Sequence, residues 1–210
     1  MNKPVAIIGY SGHSHTGIDI LTAGGYTVTA YCDNEPKEEN PFNLLYLGPE
    51  MDPVVLEKLK GYEYFIGIGN NNHLRRKVYE AVSPSLGEPV NAIHPSAVIS
   101  PSVKLSCGHF ISANVSINAL TELGKTAVCN TGSVIEHGCM IGDFTFIAPG
   151  AVLNGDVMIG ENTFVGANSV IKQGVKVGRN VIIGAGAVIL NDVPDGVTIV
   201  GNPGKVISQK

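Results

Sequence analysis

Apolar residues recur at every sixth position of the second half of the chain, from Ile93 through Ile99, Leu105, Ile111 and onward to Ile189, without one insertion. Every such anchor is Ile, Leu or Val except Cys129. Four residues after most anchors stands a small or β-branched residue, as at Ala97, Val115, Thr121, Ser133, Ala151 and Ser169. Gly often follows the anchor directly, as at Gly124, Gly142 and Gly160. The period reads as one short strand and one turn per hexapeptide. The anchor and the fourth residue after it point inward, and the rest face solvent. One such strand cannot bury its apolar face alone, so the repeats must stack into a solenoid. Three hexapeptides close a triangular coil of 18 residues. An ordinary β-sandwich would not hold a six-residue phase over about 100 residues.

The composition agrees. The 26 glycines and the absence of Trp suit a structure rich in tight turns. With 44% hydrophobic and 15% charged residues the chain is no disordered polymer. The net charge of −4, with no basic run, excludes a nucleic-acid groove. The apolar part of the N-terminus is too short for a signal peptide, and no stretch reaches membrane-spanning length. These features place the protein in the cytoplasm, without membrane insertion. Cys32, Cys107, Cys129 and Cys139 show no CxxC pairing and read as reduced, packed thiols, so no metal is expected.

Residues 1–90 follow another rule. Val5-Ala6-Ile7-Ile8 reads as a buried parallel strand ending in Gly9. Thr16 to Ala23 can form a helix closed by Gly24-Gly25, and Tyr26 to Cys32 a second strand ending at Asp33. Asp52 to Lys60 predicts a helix with Asp52 as cap, Tyr62 to Ile68 a strand, and Asn70-Asn71-Asn72 the start of a helix through about Val82. Strands alternating with helices imply a small α/β, Rossmann-like domain over 1–90, followed by a β-helix over 91–210. The turn Gly9, Ser11, Gly12, His13 at a helix start suits a phosphate, and its spacing is not GxGxxG. An acidic residue in the position of Asp33 commonly meets a ribose or base edge. Gly69 and Asn70 end the third strand and line the same crevice. The plainer reading of these residues is a loop with helix caps.

The motifs Gly9-Tyr10-Ser11-Gly12-His13, Ile93-His94-Pro95-Ser96-Ala97 and Asn130-Thr131-Gly132-Ser133-Val134-Ile135-Glu136-His137, with the ending Val200-Gly201-Asn202-Pro203-Gly204-Lys205-Val206, resemble those of the NeuD/PglD-like sugar acetyltransferases. The ending departs from the usual pattern only in having Gly204 where Ala is common. The resemblance covers nearly the whole chain and implies a left-handed winding of the β-helix. It implies an acetyl-CoA-dependent, homotrimeric enzyme that N-acetylates a UDP- or GDP-linked aminodideoxy sugar, with each active site in a groove between neighbouring subunits. His137 matches the family's catalytic histidine, and Asn130 a residue near it. Gly9, Ser11, Gly12, His13, Asp33, Gly69 and Asn70 would then hold the nucleotide. Gly155, Ala167 and Ala185 match positions whose backbone faces CoA, and their offsets suggest one edge of small residues for the pantetheine arm. Two positions depart: some relatives carry Glu where Gly138 stands, and some carry a second His where Phe146 stands.

The chemistry asks for a base near neutrality and donors for an oxyanion, which suits His137. One coil of 18 residues puts Gly155 over His137, leaving open space and an approachable backbone N–H beside the base. Taken alone, Gly155 reads equally as a turn glycine. Glu136 reads equally as a solvated turn carboxylate or as a group that tunes the base. His94 and His109 read as structural. The competing functions are O-acetylation of a sugar such as a sialic acid, a non-catalytic β-helix scaffold, which has no reason to clear space beside one turn histidine, and an NAD-binding oxidoreductase, which the glycine spacing disfavours.

Overall fold

The structure, a computed structural model, describes residues 3–209; Met1, Asn2 and Lys210 lie outside the described residues. The chain divides into two compact units, Met1–Pro95 and Ser96–Lys210.

In the first unit, strands β1 (Val5–Ile8), β2 (Val28–Cys32), β3 (Leu45–Gly48) and β4 (Glu63–Ile66) form an all-parallel sheet in the order β3-β2-β1-β4. Helix α1 (Gly12–Ala23) joins β1 to β2, α2 (Pro53–Leu59) joins β3 to β4, and α3 (Asn72–Leu86) follows β4. This is a Rossmann-like arrangement. All four residues of β1 are fully buried, as its unbroken apolar run requires of a central parallel strand. Asp52 caps α2 by accepting the Val54 N–H at 2.7 Å. Three details differ from the sequence reading. Helix α1 begins at Gly12, not Thr16, because the Ser14 hydroxyl accepts the Ser11 N–H at 2.7 Å and satisfies a first-turn donor. Helix α3 runs past Val82 and through Pro84 to Leu86, and Gly87, with φ +83°, caps it. Strand β3 was not foreseen; it forms the edge beside β2.

The second unit is a left-handed parallel β-helix. Each hexapeptide contributes a two-residue strand, and strands pair in parallel with those 18 residues away, as Val134 does with Val152. The strands stack into three faces. The first face begins with Val98–Ile99 and holds six strands, ending with Val188–Ile189. The second begins with Lys104–Leu105 and ends with Lys176–Val177. Within this unit the third runs from Phe110–Ile111 through Ile182–Ile183 and closes on Val197–Val200 and the antiparallel Lys205–Gln209. From Ile111 to Ile189 every anchor is buried. Each such Ile, Leu or Val contributes about 1.5–3 kcal/mol by leaving water.

The turns share one conformation. Every sixth residue from Gly108 to Gly186 has φ between 47° and 73°. Gly and Asn dominate this column because Gly has no Cβ to clash and Asn tolerates the left-handed region. Each turn is therefore four residues long. Its third residue is left-handed and its fourth points inward. The expectation that the remaining positions face solvent fails at several places: Ser112, Thr126, Phe144, Ala148 and Asn162 are buried, and so is the outward column of Phe110, Val128 and Phe146. These side chains follow one another at 18-residue steps, and Phe146 stacks on Phe164 with ring centroids 5.0 Å apart.

Candidate active site

His137 is the second residue of the turn Glu136–Cys139, which follows the strand Val134–Ile135. One coil later, Asn154-Gly155-Asp156-Val157 makes the same turn after Val152–Leu153. The ladder fixes their register: the Glu136 N–H donates to the Leu153 carbonyl at 2.9 Å, and the Asp156 N–H to the His137 carbonyl at 2.8 Å. Gly155 is thereby seated against the imidazole. A Cβ on Gly155 would lie 2.5 Å from Cε1 and 2.6 Å from Nε2 of His137. The other ring nitrogen, Nδ1, stands 4.0 Å from a carboxylate oxygen of Asp156. Both side chains are exposed.

Glu136 shares this corner. With Asp156 it adds to the effect of burial in pushing the Cys139 thiol up to about 11. The Cys139 thiol donates to the Asn154 carbonyl at 3.3 Å and faces inward. It is no nucleophile at neutral pH. All four cysteines are buried thiols, none in a disulfide. Among the described residues no group of three His, Cys, Asp or Glu could hold a metal ion.

Asn130, Ala167 and Ala185 occupy a different corner. They follow strands of the third face, whereas Gly155 follows a strand of the first. The expected single edge of small residues running from Gly155 to Ala185 is thus not found within one chain. A 12-residue offset crosses two of the three sides of the coil; only the 18-residue step from Ala167 to Ala185 stays on one corner. The Asn130 side-chain oxygen Oδ1 accepts its neighbour's N–H, that of Thr131, at 2.8 Å. Phe146 lies on the strand face, stacked as described.

A groove of about 1000 Å³ runs along the second face, floored by Met140, Met158 and Lys176 and edged by Gly124, Gly142 and Gly160. Its lining does not include His137 or Gly155.

In the first unit, the residues read as nucleotide-binding do converge. The loops after β1 and β4 leave the carboxyl ends of neighbouring strands and pack glycine against side chain. A Cβ on Gly9 would meet Ile68 Cγ1 at 2.9 Å, and one on Gly69 would meet the His13 ring at 2.6 Å. Asp33, at the end of β2, reaches the same place by accepting the Tyr10 N–H at 2.9 Å. Its other oxygen accepts the Asn34 N–H at 2.8 Å and pairs with Lys37 at 3.0 Å. Ser11 and Gly12 are exposed at the start of α1, and Asn70 is exposed at the end of its loop. Burial, with a smaller contribution from Arg75, lowers the pKa of His13 to about 4, so its imidazole is neutral at pH 7. The sequence reading missed Arg75. This buried side chain on α3 donates to the Gly69 carbonyl, to Ile68 O at 3.3 Å and to Asn72 Oδ1 at 2.9 Å, and so holds the loop that carries Gly69 and Asn70. One Arg in an amphipathic helix carries no mark of such a task.

Comparison with known proteins gives the family. The PglD N-terminal domain family matches residues 4–82, and the bacterial transferase hexapeptide family (six repeats) matches residues 156–191. The crystal structure of PerB from Caulobacter crescentus, in complex with CoA and GDP-perosamine, is 38% identical, covers 98% of this chain and 97% of its own, and superposes with a TM-score of 0.91. The chain belongs to the NeuD/PglD-like sugar acetyltransferases. The acetyltransferase domain of PglB from Neisseria gonorrhoeae, solved with acetyl coenzyme A, is 30% identical over 99% of this chain and 100% of that one, with a TM-score of 0.91. The GDP-perosamine N-acetyltransferase of Escherichia coli O157:H7 is 35% identical over 114 residues, which are 54% of this chain and 49% of that protein. The chain thus matches about half the length of that curated relative.

Proposed function

We propose that the protein transfers the acetyl group of acetyl-CoA to the amino group of a GDP-linked aminodideoxy sugar of the perosamine type. The observation that carries this reading is the seating of the His137 imidazole against Gly155 in a chain similar over nearly its full length to a GDP-perosamine-binding relative. Nε2 of His137 accepts a proton from the sugar amine as the nitrogen attacks the thioester carbonyl. The Gly155 N–H donates to the developing oxyanion. Collapse of that intermediate breaks the C–S bond, and the CoA thiolate leaves and takes up a proton. A positioned base supplies roughly 10²–10⁴-fold, and an oxyanion donor about 10²–10³-fold.

In the first unit, the diphosphate of the acceptor sugar nucleotide lies on the backbone N–H groups of Gly12 and His13 at the start of α1, beside the exposed Ser11. His13, being neutral, serves as a donor and not as a charge. Gly9, Gly69 and Asn70 shape the crevice. Asp33 has two tasks, closing the β1 loop through the Tyr10 N–H and facing the nucleoside. Units 1–90 and 91–210 divide the work between nucleotide binding and acyl transfer.

The enzyme works as a homotrimer in the cytoplasm. No helix of the described residues is long and apolar enough to cross a membrane. What supports the trimer is the distribution of site residues over two corners. A groove between neighbours brings the His137–Gly155 corner of one copy against the Asn130–Ala167–Ala185 corner of the next. CoA then runs along the latter corner, with the exposed Met140 and Met158 face available for packing.

The test is release of free CoA from acetyl-CoA with GDP- and UDP-linked 4-amino sugars and with sialic acids, for wild type and His137→Ala. Turnover on the GDP-linked amine and a loss of at least about 100-fold in His137→Ala are expected. Turnover confined to hydroxyl acceptors, no turnover on any acceptor, or a fully active His137→Ala sinks the reading.

A further inference from the structure

The left-handed column of turn residues holds Gly or Asn at most positions, yet one carboxylate stands in it, at Asp156 (φ 60°). It lies one coil above Gly138 (φ 69°), and a Cβ on Gly138 would come within 2.3 Å of Asp156 Oδ1. The same oxygen stands 4.0 Å from His137 Nδ1. Nε2 and Cε1 of that ring face Gly155 instead. The Asp156 N–H, bonded to the His137 carbonyl at 2.8 Å, ties the two residues through the backbone as well.

We infer that Asp156 is the positioning residue of the catalytic base: its carboxylate, housed in the space left by Gly138, receives the Nδ1–H of His137 and leaves the Nε2 lone pair turned toward Gly155. The inference rests on the acetyl-transfer reading above. A general base works best when a third group holds its ring and tautomer, the logic of a nucleophile–base–orienter triad. A separation of 4.0 Å is longer than a hydrogen bond, and such catalytic pairs close up only around bound substrate. Gly138 is then the partner of Asp156. A side chain at 138 would collide with the carboxylate, so the chain can carry an acid on the next coil or one beside the histidine, but not both in this geometry.

The packing alternative is concrete. Asn168 Oδ1 sits over Gly150 at the same 2.3 Å from that glycine's would-be Cβ, so this seat is also filled by a neutral amide. Asp156→Asn therefore preserves shape and turn conformation while removing the charge. Asp156→Glu keeps the charge but suits the left-handed region less well. If Asp156 orients the base, kcat ranks wild type, then Glu, then Asn, with Asn about 10–100-fold below wild type and KM for the amino sugar within about twofold. If Asp156 only fills the turn, Asn equals wild type and Glu is the weakest, which overturns the inference. A rise in KM with kcat intact makes Asp156 a substrate ligand and also overturns it. A second readout needs no turnover: nitrogen chemical shifts of His137 report Nδ1–H in wild type and a shift toward Nε2–H in Asp156→Asn, and identical tautomers refute the inference. Absence of turnover in wild type, by contrast, refutes the acetyl-transfer reading and leaves the tautomer measurement to decide this one.

Discussion

Replacing Gly155 with Ala should disable the enzyme while leaving the β-helix folded. Gly155 lies outside the left-handed region, so its backbone accepts a Cβ. The three atoms nearest that Cβ all belong to the His137 ring, at 2.5, 2.6 and 3.2 Å. Ordinary contact begins near 3.4 Å, so the ring must retreat by nearly an ångström. His137 is 58% exposed and can swing into solvent, which makes the structural cost small. We expect less than about 1 kcal/mol, or a fall in Tm under about 4 °C for a chain of this size. A base misplaced by about 1 Å costs on the order of 100-fold in kcat. The assay is CoA release on the amino-sugar acceptor, run beside a thermal melt. A double-mutant cycle sharpens it: in a His137→Ala background, Gly155→Ala should cost less than about twofold, because the ring it displaces is gone. Wild-type kcat in Gly155→Ala refutes the reasoning. So does an undiminished loss when His137 is already absent, or a kcat loss that tracks unfolding.

Two further outcomes follow from the core of the β-helix. Burial lowers the pKa of His109 to about 4, against about 6.5 when unfolded, so above pH 6.5 neither state binds the proton, and between 6.5 and 4 only the unfolded chain does. The stability His109 gives is thus complete above 6.5 and falls by about 3 kcal/mol on descending to pH 4; urea melts of wild type and His109→Val at pH 7 and 4.5 should show the variant losing less on acidification, and equal losses would count against it. Ile147 is fully buried and stacked between Cys129 and Val165, so Ile147→Ala should cost about 2–5 kcal/mol, read as a lower urea midpoint with unchanged slope.

The repeat half was legible because its physics is one-dimensional. Each coil repeats one strand and turn, so a residue's depth and corner follow from counting, and Gly155 could be set against His137 before any coordinates. The same count would have set Asp156 over Gly138, but a lone Asp in a turn looks like any solvated carboxylate until its distance to Nδ1 is known. Strand β3 escaped notice because Leu45–Gly48 is a short edge strand with only Leu47 and Gly48 buried, which leaves no alternation to read. The burial of Phe110, Val128 and Phe146 escaped because outward columns were assumed wet. In the first unit, Gly9 and His13 read as turn residues and Gly69 as the end of a strand, yet what brings them together is close packing between loops, and Arg75 acts through backbone carbonyls that no sequence pattern displays.

Counting in sixes also explains why one chain is an incomplete enzyme under the acetyl-transfer reading. Eighteen residues return to the same corner, which is why His137 and Gly155 meet; twelve do not, which is why Gly155 and Ala167 stand on different corners of the same prism. In the proposed reading, a base and oxyanion donor on one corner and a small-residue track with Asn130 on another serve one thioester through a second copy that supplies the missing corner. Two inactive variants, His137→Ala and one blocking the other corner, such as Ala185→Trp, should therefore recover activity when co-expressed, because mixed oligomers contain some grooves with both corners intact. Purified mixed oligomers in which activity never exceeds that of either parent would mean that each chain works alone.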